Sequence, residues 1–164
     1  MKNYIIYFFT FLFCTFLYSQ DTSSSTNSNN SEEIEKRELR SNYMGYLTAE
    51  GYLPSIDDAG DIKFKSEGKT YYLLVKSKNI FTLAYYQGNK NGCTVPVYKT
   101  LNEVSARFLN ITTRLFDSCD TIIYKSVSWL DDMDDYKGNV FKFSLRIVKN
   151  AAEASGRYYT KFTE

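Results

Sequence analysis

The sequence predicts an α+β domain with its elements in the order α-β-β-β-α-β-β-α. Two observations carry this. Between Tyr43 and Tyr86 an apolar helical stripe ends at Gly51, and Pro54 forbids its continuation. Three short alternating strands with tight turns follow, which reads as an antiparallel meander. Beyond Thr100, two segments of helical spacing enclose two further strands.

The first helix is expected from Ser31 to Glu50. Ser31 suits the N-cap, Glu32 and Glu33 lie in the first turn where the helix dipole favours anions, and Ile34, Leu39, Tyr43, Tyr46 and Leu47 form an approximate stripe. Strand one is expected over 61–66, with Ile62 and Phe64 opposed to Lys63 and Lys65. Glu67-Gly68 supplies a two-residue hairpin turn in which glycine accepts a positive φ. Strand two is expected over 69–76 and strand three over 80–87. Tyr71, Leu73, Phe81 and Leu83 share one face, and Tyr72, Leu74, Ile80 and Ala84 load the other. Thr100 and Glu103 have the spacing of a capping box, so the second helix is expected to start at Thr100, after a Gly/Asn-rich loop over 88–96. Strands four and five follow at 111–116 and 121–130, the latter with Ile123, Val127 and Trp129 in phase. Phe141, Phe143, Leu145 and Ile147 alternate as a strand would, while Val140, Ser144, Ile147, Ala151, Ala154, Tyr158 and Phe162 fall at helical spacing. The run Val140–Ser155 has no turn signal, is too long for an ordinary strand and contains AAEA, so a helix capped by Asn139 is expected, with a stop or fraying at Gly156.

Residues 1–19 have the build of a secretory signal: Lys2, then an apolar stretch over 4–18, then Ser19 before Gln20 and Asp21. The stretch is short for a membrane span, although an uncleaved anchor is the alternative. Residues 20–30 are Ser, Thr and Asn with one acid and should form a flexible linker, leaving 31–164 as a single domain. Export predicts a periplasmic or secreted protein. Removal of 1–19 takes Lys2 with it and leaves 19 basic and 19 acidic residues. A neutral domain carries no electrostatic footprint for nucleic acid or an anionic membrane. Cys93 and Cys119 then remain. In an oxidising compartment they could pair or stay as two thiols, since spacing alone does not decide.

The chain has no histidine. That removes the commonest general base and zinc ligand, and with it Ser-His-Asp and Cys-His nucleophile systems. No phosphate-binding glycine loop or nucleophile elbow is present. The run Asp131, Asp132, Asp134 and Asp135 fails the calcium-loop pattern: Lys137 stands where the turn glycine belongs, and no glutamate follows at the required distance. Asp57, Asp58 and Asp61 read as turn acids. No cofactor is expected. Tyr (15 residues) and Phe (12 residues) are abundant but follow strand phase, as packed aromatics do.

The segment GYLPSIDDAGDIKFKSEGKTYYLLVKS, a helix ending LNEVSARF before a strand, and the C-terminal helix together resemble the YbjN family, over about residues 33–163. The resemblance implies a fold like that of type III secretion chaperones, with a five-stranded antiparallel sheet and helices packed mainly on one face. It implies no catalytic centre, and protein-binding or regulatory roles. The loop NGCTVPVYK and the acidic insert DDMDDYKGN depart from the family's pattern.

The expected function is therefore a non-enzymatic, secreted or periplasmic protein-binding module, chaperone-like or regulatory. The alternative is a carboxylate-dependent envelope enzyme or a small-ligand carrier. Tyr72, Leu74, Ile80 and Ala84 are the expected partner surface, seating either a second copy or a bound chain. Apolar groups on a sheet face without helices are costly to leave in water.

Overall fold

A computed structural model describes residues 25–164. The expected signal segment and residues 20–24 of the expected linker lie outside the described residues; the rest of that linker, 25–30, is helical rather than a flexible tether, because the first helix extends upstream through it. The compact unit spans 36–164, and residues 25–35 are helical. Helix α1 (Ser25–Ala49) is followed by β1 (Ser55–Ile56), β2 (Ile62–Ser66), β3 (Lys69–Leu73) and β4 (Ile80–Gly88). Helix α2 (Val95–Arg107), β5 (Ile111–Leu115), β6 (Thr121–Trp129) and helix α3 (Phe141–Thr163) complete the chain. The strands form an open six-stranded sheet in the order β1-β2-β3-β4-β6-β5, and every neighbouring pair is antiparallel.

All helical packing in the compact unit falls on one face of this sheet. Leu39, Tyr43 and Leu47 recur every fourth residue on α1. Val97, Leu101 and Val104 line α2. Phe141, Val148, Ala151 and Ala152 line α3. These side chains are buried with Ile62, Phe64, Tyr71, Leu73, Phe81, Leu83, Ile122 and Tyr124 of the strands. Aromatic rings set the geometry: Phe81 stacks on Tyr136 at 5.7 Å, and Tyr43 meets Tyr136 edge-on at 4.7 Å. Small residues on α3 (Ala151, Ala152, Ala154, Ser155) are buried and allow close approach of its neighbours. Within this layer the Tyr124 hydroxyl donates to Ser155 Oγ at 2.7 Å, and Ser155 in turn donates to the Ala152 carbonyl at 2.8 Å. The β2–β3 hairpin is tied to α3 through Lys69–Glu153 at 3.3 Å and through Lys149 to Glu67. The latter hydrogen bond holds the Glu67 carboxyl below its ordinary range.

Several expectations need correction. The sheet has six strands rather than five. The extra one, β1, pairs Ser55 with Lys63 and Ile56 with Ile62. At two residues between Pro54 and Asp57 it is too short to show a period. Helix α1 begins at Ser25, so Ser31 lies inside it. Helix α2 begins at Val95 rather than Thr100, with Thr94 as its N-cap residue and Pro96 in the first turn. Proline's fixed φ suits that position. Thr100 is buried in the helix, and its hydroxyl finds no partner, so the capping box does not form. β3 ends at Leu73, although the Leu74 amide still donates to the Thr82 carbonyl at 3.0 Å. Asn139 does not cap α3. It lies in a π-type turn, Tyr136–Val140, kinked at Gly138 (φ 71), whose amide donates to the Tyr46 hydroxyl at 3.0 Å. Helix α3 passes through Gly156 to Thr163. The Glu67-Gly68 turn forms as expected, with both φ positive (49 and 76).

Candidate functional site

The other face of the sheet is built by alternation. Residues that pair across strands show which side chains share it. One row runs Ser55, Lys63, Tyr72, Ala84, Lys125, Thr112 from edge to edge. Nearer the β2–β3 turn lie Lys65 opposite Thr70, and Tyr86, Ile123 and Arg114 in a line. Toward the other end Thr82 opposes Val127, with Leu74 beside it, and Ile80 opposes Trp129. No described helix covers this face.

Its centre is apolar. The Tyr72 and Tyr86 rings meet edge-on at 4.9 Å, and Tyr86 stacks on Phe116 at 6.3 Å. Burial raises the Tyr86 phenol above its ordinary range, helped by Asp61, Tyr72 and Asp57 nearby. Trp129 is 79% exposed, a large apolar surface left in solvent. Tyr72, Leu74 and Ile80 are half-buried. Ala84, expected to be part of the partner surface, is fully buried between its larger neighbours, and with Thr82 forms the floor of a shallow trough along β4. The sequence reading missed Tyr86, Ile123, Val127 and Trp129 as members of this face. The alternation of β6 was visible, but not which of its phases faces the helices.

The polar groups follow a single sign. Every charged residue in the six strands is basic: Lys63, Lys65, Lys69, Arg114 and Lys125. Lys69, on the helix-bearing side, is paired with Glu153. The other four lie on the open face, and none has a carboxylate partner among the described residues. A groove of about 640 Å³ opens at the β1–β2 edge between Tyr52, Leu53, Ser55, Lys63, Lys65 and Tyr72. A second cleft, about 340 Å³, lies on the helix side between Asn89, Val97, Leu101, Ile122, Ser155 and Tyr159. Neither carries a carboxylate.

Five of the turn acids are occupied structurally. Asp57 accepts from the amides of Ala59 and Asp61, both at 3.0 Å, and Asp61 accepts from the Val75 amide at 2.8 Å. Asp132 accepts from the Asp134 amide, Asp135 from the Asp132 amide, and Asp134 pairs with Lys137 at 2.8 Å. Among the described residues no three acids, cysteines or histidines cluster as metal ligands. Cys93 and Cys119 are bridged, with Cα atoms 5.3 Å apart. The bridge joins the loop before α2 to the β5–β6 turn. Asn89 reinforces that junction by donating from its side chain to the carbonyls of Cys119 and Gly92, at 2.7 and 3.0 Å.

No protein-family model matches this chain, and no curated protein matches it. Solved structures do. YbjN from E. coli superposes with a TM-score of 0.53 at 9% identity, over 70% of this chain and 86% of its own. An uncharacterized protein from Methanothermobacter thermautotrophicus gives 0.52 at 10% identity, over 75% of this chain and 97% of its own. The Yersinia pestis type III secretion chaperone SycH, solved in complex with a stable fragment of YscM2, gives 0.50 at 14% identity, over 70% and 98%. At these identities the likeness is one of fold: the chain has the α+β architecture of YbjN and of a type III secretion chaperone.

Proposed function

We propose that this chain is a non-enzymatic protein-binding module, chaperone-like or regulatory, that acts after export and seats its partner on the open face of the sheet. The observation that carries this is the uncovered apolar face itself, with Trp129 at 79% exposure beside Ile80 and Leu74. Two further facts support it. Neither cleft is lined by a carboxylate, and the turn acids Asp57, Asp61, Asp134 and Asp135 are engaged with backbone amides or a lysine. One protein of the same fold, SycH, was solved with a protein fragment bound.

The test is the double substitution Tyr72→Ser/Leu74→Ser. Both side chains lie on the open face outside the helix-bearing core, so circular dichroism should be unchanged. Association with itself or with an envelope protein captured by the wild type should weaken. A wild type that sediments as a monomer and captures nothing overturns the reading. Loss of folding in the variant also overturns it, because that makes the face part of the core. Export is tested by mass spectrometry of the native protein: an N-terminus near Gln20 is expected, and an intact Met1–Ser19 rejects cleavage.

A further inference from the structure

Resting on that reading, we infer that the partner presents an acidic amphipathic helix, laid along β4 between two lines of basic side chains that have no carboxylate partner among the described residues. The face has a floor and two walls. The floor is Ile80, Thr82, Ala84 and Tyr86 on β4, with Tyr72 beside it. One wall is Lys63 and Lys65 on β2. The other is Lys125 on β6 with Arg114 behind it on β5.

The spacing suits a helix. β2 and β6 are separated by β3 and β4, so the walls stand about 14 Å apart at the usual strand spacing. An α-helix with side chains is about 10–12 Å across. The nine residues of β4 extend about 30 Å, matched by a helix of about 20 residues. Lys63 and Lys65 repeat about every 7 Å along β2, close to the roughly 6 Å rise between positions i and i+4 of a helix. Acids recurring at that interval on both flanks of an apolar stripe would meet both walls while the stripe covers the Tyr72–Tyr86 floor.

Charge selects the sign. Among the described residues the four basic groups on this face have no carboxylate partner, in a chain with 20 bases and 19 acids. Asp57 and Asp61, close enough to the Tyr86 phenol to raise it, are held by backbone amides and pair with none of these bases. A basic partner would meet repulsion at every charged position. An acidic one would complete the pairs.

Trp129 is the only tryptophan in the sequence and stands on this face, so it reports occupancy directly. The experiment titrates the purified full-length chain with a tryptophan-free helical peptide of about 20 residues carrying a Leu/Ala stripe flanked by Glu. A version with Lys for Glu is the sign control, and a version broken by central prolines is the helix control. The expected result is a blue shift of Trp129 emission with the Glu peptide alone, weakened by salt. Lys63→Glu/Lys125→Glu should weaken that binding about tenfold, from two exposed ion pairs lost and two repulsions made, and should gain binding of the Lys peptide. Lys65→Glu/Arg114→Glu should behave alike, so a folding defect in one variant does not protect the idea. Equal binding of the Glu and Lys peptides overturns the acidic partner while leaving a protein-binding face. Undiminished binding of the proline-broken peptide overturns the helix. Concentration-dependent sedimentation with Trp129 already shielded means a second copy occupies the face, and overturns it too. Absence of any shift with a monomeric protein overturns the inference outright. The Tyr72→Ser/Leu74→Ser test judges the broader reading separately.

Discussion

Tyrosine-to-phenylalanine substitutions should change stability with opposite signs at three buried positions. Tyr43 and Tyr136 are buried at 1% and 0% exposure, and neither hydroxyl has a hydrogen-bond partner among the described residues. Both rings pack on Phe81. A buried hydroxyl without a partner costs about 1–3 kcal/mol of desolvation. Tyr43→Phe and Tyr136→Phe keep the rings and remove that cost. Each should stabilise the fold by about 1 kcal/mol, a rise in Tm of about 4 °C for a domain of this size. Tyr124 is the control: its hydroxyl donates to Ser155 Oγ at 2.7 Å within the core, so Tyr124→Phe strands an acceptor and should destabilise by about 1 kcal/mol or more. The alkaline limb gives a second readout. Burial pushes the Tyr43 phenol up to about 12 from an ordinary 10.0. A folded-state pKa raised above the unfolded one gives stability that is complete below pH 10 and lost as pH climbs toward 12. That loss is about 2–3 kcal/mol for this group. Tyr43→Phe should remove its share of the loss. Urea titrations at neutral pH and across the alkaline range measure both effects. A loss of more than about 1 kcal/mol in Tyr43→Phe or Tyr136→Phe would mean the hydroxyl is satisfied in the native protein, and the reasoning fails.

Two further predictions concern the frame around the open face. The Cys93–Cys119 bridge, at a sequence separation of 26, should contribute about 3.5 kcal/mol in the loop-entropy account, so Cys93→Ser/Cys119→Ser should lower stability by about 3 kcal/mol. Two freely labelled thiols in unfolded, unreduced native protein would contradict this. At Gly60 the backbone has φ +81, its carbonyl accepts from Arg40 Nε at 2.9 Å, and an added Cβ would come within 2.7 Å of Arg40 Nη2. Gly60→Ala should therefore cost about 2 kcal/mol and loosen the β1–β2 loop from α1, which hydrogen exchange of that loop would register.

What the sequence made legible was whatever is encoded locally. Glu67-Gly68 announces its turn because two adjacent positive φ values select for glycine at the second position. The alternation of Tyr71, Leu73, Phe81 and Leu83 against Tyr72, Leu74, Ile80 and Ala84 separates two faces, and the pairing register keeps the two sets apart, because both strands belong to one meander. What was not legible depends on tertiary burial. Thr100 and Glu103 have the spacing of a cap, yet Val97 is buried with Leu101 and Val104, so packing extends α2 about a turn and a half upstream to Val95. Tyr136 is drawn into the aromatic core, and the chain must kink at Gly138 before α3 can start, which displaces Asn139 from the cap. β6 carries Ile123, Val127 and Trp129 on one face and Ile122 and Tyr124 on the other. Both are apolar, and only the helices decide which one is core.

The same sheet offers a partner its face rather than its edges, and that determines how recognition has to work. Edge strands expose unpaired backbone groups that any extended chain can extend, with little regard to side chains. Here one edge is β1, two residues long and preceded by Pro54. The other is β5, five residues long with Arg114 pointing to the open side. Short edges flanked by proline and charge suppress addition of a strand. A partner on the face meets side chains alone: an aromatic floor for area and, for sign, four bases without a carboxylate partner among the described residues. Affinity would come from covering Tyr72, Tyr86 and Trp129, and choice of partner from the charges on either side, since exposed pairs add little energy but penalise the wrong sign at every position. A helix suits such a surface because its own backbone is already hydrogen-bonded and asks nothing of the sheet's edges.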